Sequence, residues 1–172
     1  MSEEVEDKPE EEVNAVDAIE FQQKTLSEWQ IELTVKMPAM PATSFEMQKV
    51  VADLNNKYQI AYNCYNELMV MHREQEINMN RQKFRAVKIL MDEYKAKGVR
   101  TPAKETIESL VIEKDEDLAS LMEDTIMYSI IKDFFENHKN KLSATMKVAS
   151  DLLYSCGQSD RMFNKSERTN GL

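Results

Sequence analysis

The stretch FEMQKVVADLNNKYQIAYNCYNELMVMHREQEINMNRQKFRAVKILMDEYKAK, residues 45–97, decides the fold, because it contains neither glycine nor proline over 53 residues. Thr43 precedes it with Glu46 three positions on, a capping-box pattern, and Gly98 closes it behind Lys95 and Lys97. Cations suit the negative end of a helix and glycine suits the left-handed cap. A continuous helix here would be roughly 80 Å long at about 1.5 Å per residue, and its apolar face needs cover. Met47, Val51, Leu54, Tyr58, Ala61, Tyr65 and Leu68 alternate steps of four and three, the heptad seam of a helix with a partner helix. Past Leu68 the apolar residues continue as Val70, Ile77, Phe84, Val87, Met91 and Tyr94, with Arg73 and Asn80 between them. The expectation is a phase shift in the seam rather than a helix break, although the polar run from His72 to Lys83 leaves two shorter helices as the alternative.

On the carboxy-terminal side, Thr101-Pro102 reads as the restart of the chain after a short turn. A second long helix is expected from a cap at Asp115 or Asp117 to Gly157, with a polar, flexible tail over 158–172. Its apolar face is wide between Leu118 and Phe135, more than one seam requires, which points to a homo-oligomer. On the amino-terminal side, Trp29, Ile31, Leu33, Val35 and Met37 alternate with polar residues, the period of a strand. The other short β-like run is 107–112. The two are expected to pair within the chain or between subunits, unless the first lies as an extended segment over its own helices. Met37-Pro38-Ala39-Met40-Pro41 is a stiff connector. The fold expected is therefore mainly α, a long antiparallel helical hairpin with coiled-coil-like seams and a short β pairing of about 29–37 with 107–112. The divisions are an acidic disordered tail over 1–20, an arm and linker over 21–43, and an oligomerisation and binding domain over 44–157.

Composition restricts the function. Seven acids against one lysine make residues 1–12 net −6 of a total of −9. The acidity thus belongs to a tail, which either keeps the chain soluble or competes with nucleic acid for a basic face. Twelve methionines suit adaptable helical contacts. Cys64 and Cys156 stand in motif-free contexts, so no disulfide framework or metal spacing is expected. With no signal peptide and no long apolar run, the protein is expected in the cytoplasm, the host's if phage-encoded, without membrane contact. Neither catalysis nor a cofactor is expected. His72 and His138 lack acidic partners at metal spacing, and no phosphate loop or nucleophile elbow occurs. Asp115, Asp117, Glu123 and Asp124 read as helix-start acids rather than as a metal cluster.

One constellation is informative. Between Arg81 and Lys104 eight lysines and arginines face only Asp92 and Glu93, a window of net +6. Arg81, Arg85, Lys88 and Lys95 fall on one side of a helix, and with Lys83 and Tyr94 they form the candidate nucleic-acid site. Spaced cations track phosphates and gain affinity by counterion release. Tyr94 or Phe84 could stack bases if exposed. The same charges would equally coat the solvated face of a long helix.

At Gln82-Lys83, Ala86, Lys88, Asp92, Tyr94 and Gly98, followed by Lys114-Asp115-Glu116-Asp117-Leu118 and a helix to Cys156, the chain resembles the phage recombination-mediator family of the UvsY type. The resemblance implies a helical, ring-like oligomer that binds single-stranded DNA. It also implies that the protein loads a RecA-like recombinase against a single-strand-binding protein. The family's pattern places an arginine two residues beyond the lysine matched by Lys88, where this chain has Leu90. The alternative function is a helical scaffold or adaptor whose acidic tail recruits a partner, without nucleic-acid binding.

Overall fold

The structure, a computed structural model, describes residues 18–40 and 42–169, with side chains as far as residue 159. It forms two compact units, Met1–Thr34 and Val35–Leu172. The division falls inside the stretch read as one arm over 21–43. Of the tail expected over 1–20, residues 1–17 lie outside the described residues.

In the first unit, β1 (Glu20–Phe21) and β2 (Lys24–Thr25) pair antiparallel, with Glu20 opposite Thr25 and Phe21 opposite Lys24. The two-residue turn puts Gln22 and Gln23 at φ 51° and 65°, the left-handed geometry that the twist of a tight hairpin demands and that glycine or asparagine usually supplies. Helix α1 (Leu26–Leu33) follows at once, capped by Thr25 and Glu28. The Glu28 carboxylate accepts from the Thr25 backbone N–H at 2.7 Å, and the Thr25 hydroxyl accepts from the Glu28 N–H at 3.2 Å. Leu26, Trp29 and Leu33 are buried, and the Trp29 indole N–H donates to the Phe21 carbonyl at 2.9 Å. Lys24 sits 4.5 Å over the Trp29 ring and pairs with Glu32.

The expected strand over 29–37 is therefore corrected. Its first half is helix, because the buried set Leu26, Trp29, Leu33 has helical spacing while Ile31 is 77% exposed. Only from Thr34 is the backbone extended. The expected pairing with 107–112 is corrected as well, since that run lies in helix α3 (Lys104–Lys114).

In the second unit, helix α2 (Ser44–Ala96) is unbroken over 53 residues. At its start the Glu46 carboxylate accepts from the Thr43 N–H at 2.8 Å, and the Thr43 hydroxyl accepts from the Glu46 N–H at 3.2 Å. At its end Gly98, at φ 63°, donates to the Lys95 carbonyl, and Val99 donates to that of Tyr94. These two bonds make a Schellman cap, which satisfies carbonyls the helix would otherwise leave open. Helix α4 (Glu116–Thr169) packs along α2 as the second arm of a hairpin. Cys156 Sγ donates to the Ala42 carbonyl, Lys139 lies 4.0 Å over the Tyr65 ring, and Gln82 donates to Asp115 at 3.4 Å. Positions rising along α2 meet positions falling along α4, so the arms are antiparallel.

Met47, Leu54, Ala61 and Leu68 of the expected seam are fully buried, facing an α4 that buries Phe135, Leu142 and Ala149 at the same spacing of seven. Each large apolar side chain so buried contributes about 1.5–3 kcal/mol. Between the two arms the connection differs from expectation. Thr101-Pro102 precedes α3 without capping it, and Ala103 stands at the N-cap with no side-chain bond. Asp115 does cap α4, its carboxylate accepting from the Leu118 N–H at 3.0 Å. The helix expected to stop at Gly157 runs through it to Thr169, so the residues read as a flexible tail are largely helical. Among the described residues no helix is long and apolar enough to cross a membrane.

Candidate nucleic-acid interface

Helix α3 folds back on the carboxy-terminal half of α2. Its Ile107 and Val111 form a buried cluster with Leu118 of α4, and Met79, Ala86, Val87, Leu90 and Met91 of α2 pack against it. This contact fixes which side of α2 points inward. Counting sevens from Leu68 leads to Gln75 and Gln82, both half-buried, so the first seam keeps its phase through polar residues. The shifted seam expected after Leu68 is corrected in its first part. Val70 is 53%, Ile77 41% and Phe84 72% exposed. Val87 and Met91 do turn toward α3.

The outward side of α2 carries the site. Ile77, Arg81, Phe84 and Lys88 succeed one another at steps of four, three and four, the spacing of a single helix face, and Arg85 borders it. Ile77, Asn80, Arg81, Phe84 and Arg85 line an open groove of about 400 Å³, toward the lower end of the roughly 300–1,000 Å³ of ligand pockets. One and two turns earlier the exposed Arg73 and Val70 continue the face.

The six candidates separate by geometry. Arg81, Arg85 and Lys88 are exposed and form no ion pair among the described residues. Lys83 turns to the other side and binds the Glu108 carboxylate at 2.7 Å. That hydrogen bond, aided by the charges of Lys83 and Lys104, holds the Glu108 pKa below its ordinary value despite the opposing effect of desolvation. Lys95 lies 3.6 Å from Asp92 and its charge is partly answered locally. Tyr94 is half-buried, whereas Phe84 stands out from the surface. Leu90, at the position where the resembled family carries arginine, packs against the α3 cluster, so a cation there would face inward in this chain. His138 packs at a tilt against Phe134, and its Nδ1 lies 3.0 Å from the Phe134 carbonyl.

The expected seam takes in Val70, Ile77 and Arg73, whereas the structure leaves all three exposed at the surface. The seven-residue step from Leu54 through Ala61 and Leu68 continues to Gln75 and Gln82, but these are polar, so hydrophobicity does not mark them as the inward side. No family model, no curated protein and no solved structure matches this chain.

Proposed function

We propose that this protein is a non-catalytic, self-associating helical protein that binds single-stranded DNA along the outward side of α2. Its role is that of a recombination or replication mediator which acts with a RecA-like recombinase and a single-strand-binding protein. The observation that carries the reading is the set Arg81, Arg85 and Lys88. These are neighbouring cations on one rigid helix face, without ion pairs among the described residues, in a chain whose other cations nearby are largely answered by Glu108, Asp92 and Glu93. Unpaired, solvated cations at helical spacing are free to replace the counterions of a phosphate backbone. The resemblance to the UvsY-type mediators supports the same reading.

Fluorescence anisotropy with a labelled single-stranded oligonucleotide tests it. Binding is expected to weaken with salt with a log–log slope of about −2 for three phosphate contacts at about −0.7 each. Arg85→Ala with Lys88→Ala should lower both affinity and slope. No binding at low salt, or a double variant identical to wild type, refutes the reading.

A second reading, a helical scaffold or adaptor, is favoured by the exposed Ile126 and Met127 on α4. It predicts self-association by light scattering without oligonucleotide binding. Removing residues 1–17 separates the two. A tail that masks the cations strengthens DNA binding when deleted, whereas a recruiting tail leaves it unchanged and abolishes partner capture.

A further inference from the structure

The geometry points to Phe84 as a base-stacking platform, which makes the α2 face a site for nucleobases of a single strand and not only for phosphates; this rests on the nucleic-acid reading above. Phe84 is 72% exposed, so its ring contributes little to the fold, although Val87 and Met91, three and seven residues on, pack against the α3 cluster. Among the described residues no aromatic or cation–π contact engages it, unlike Phe45, whose ring lies under Lys49. Arg81, Arg85 and Lys88 stand at i−3, i+1 and i+4 around it, so an apolar ring is framed by the free cations of the same face. Ile77, two turns earlier, supplies the apolar floor of the shared groove and Asn80 a hydrogen-bonding amide at its edge.

That order of chemistry matches an unpaired strand. Phosphates are met by guanidinium and ammonium groups, while the bases, free of duplex stacking, find a ring and an aliphatic surface. In duplex DNA the bases are stacked on each other and offer no free face to Phe84. Charge favours this occupant over another copy of the same stripe, whose cations would oppose these. A lipid surface fits less well, because the apolar residues make a line one side chain wide with Asn80 and Glu74 beside it.

The test measures the full chain by anisotropy against two probes of equal length and phosphate count, an oligothymidylate and an abasic oligonucleotide. Wild type should bind the base-bearing probe more tightly. Phe84→Leu, which keeps an apolar side chain at an exposed helix position, should weaken oligothymidylate binding by about 5- to 100-fold and leave the abasic probe unchanged. Phe84→Tyr should restore binding. If Phe84→Leu leaves oligothymidylate binding intact while Arg81, Arg85 and Lys88 changed together to Ala abolish it, the face follows phosphates alone; the stacking inference falls and the DNA reading stands. Equal weakening for both probes, with loss of an oligomer in light scattering, would make Phe84 a self-association residue and overturn the inference. Phe84-dependent binding to vesicles of phosphatidylserine and phosphatidylcholine without oligonucleotide binding would overturn it in favour of a membrane. If wild type binds neither oligonucleotide nor vesicle, the DNA reading and the inference fail together.

Discussion

The two halves of α2 are built from the same residue types and put them to different use. In the amino-terminal half, Met47, Leu54, Ala61 and Leu68 fill a dry seam against α4. In the carboxy-terminal half the inward side holds Gln75, Met79, Gln82, Ala86 and Leu90, and the large apolar residues Val70, Ile77, Phe84 and Ile89 stand outside. The difference teaches that apolar residues at heptad spacing are no proof of a seam. A helix that already has α3 and α4 on one side keeps its opposite side for something else.

The contrast is broken most severely in the first half. Leu54→Ala or Leu68→Ala leaves a cavity at a fully buried position and should cost about 2–5 kcal/mol, read from urea unfolding followed by circular dichroism. Phe84→Ala in the second half should change stability by no more than about 0.5 kcal/mol. Equal losses at the two places would mean that Phe84 is covered in solution. The boundary beyond the second half rests on Gly98 at φ 63°, where an added Cβ meets no neighbouring atom. Gly98→Ala should therefore cost about 1–2 kcal/mol from backbone strain alone, lowering the melting temperature without altering the oligonucleotide affinity of the folded protein.

At the opposite end, Thr43→Ala removes a cap and should cost about 1 kcal/mol. The Glu46 and Glu28 carboxylates are held below their ordinary pKa of 4.5 first by the backbone N–H of Thr43 and of Thr25, then by the same threonines' hydroxyls. A carboxylate with a lowered folded-state pKa stabilises the fold above its unfolded value, and that contribution disappears as pH falls through the folded one. Unfolding free energy should thus decline as pH drops below 4.5, and Glu46→Gln should shrink the decline. An unaltered acid limb in that variant would show that the cap carboxylate carries none of it. Lys83→Ala gives up a partly exposed ion pair with Glu108 and should lower stability only slightly, because solvent screens the pair. Under the proposed function it should leave oligonucleotide affinity near wild type while Arg85→Ala lowers it, although both lysine and arginine belong to one basic window.

Much of the second unit was legible in the order of residues. The absence of glycine and proline, the Thr43–Glu46 box and Gly98 act within a few residues of chain, and they set the ends of α2 and favour its continuity. A cap at Asp115 or Asp117 is legible for the same reason, and Asp115 takes that place. The first unit carries competing periods, since Trp29 to Met37 satisfies alternation while Leu26, Trp29 and Leu33 satisfy a helix. Thr25 with Glu28, another local box, would have favoured the helix. The hairpin before it left no trace, because its left-handed turn is made by Gln22 and Gln23 instead of glycine or asparagine.

The sequence by itself therefore determined where the long helix starts and which side of its first half is a seam, because capping is local and that seam is uniformly apolar, whereas its unbroken course through His72 to Lys83 is a finding of the structure. Only the tertiary structure decided the sides of its second half. There the inward face mixes glutamine, methionine and alanine and the outward one carries isoleucine and phenylalanine, so hydrophobicity gives the wrong order. The choice was made by Ile107 and Val111, residues some twenty positions beyond Ala86 in the chain, whose packing against α2 and Leu118 turns Arg81, Phe84, Arg85 and Lys88 toward solvent.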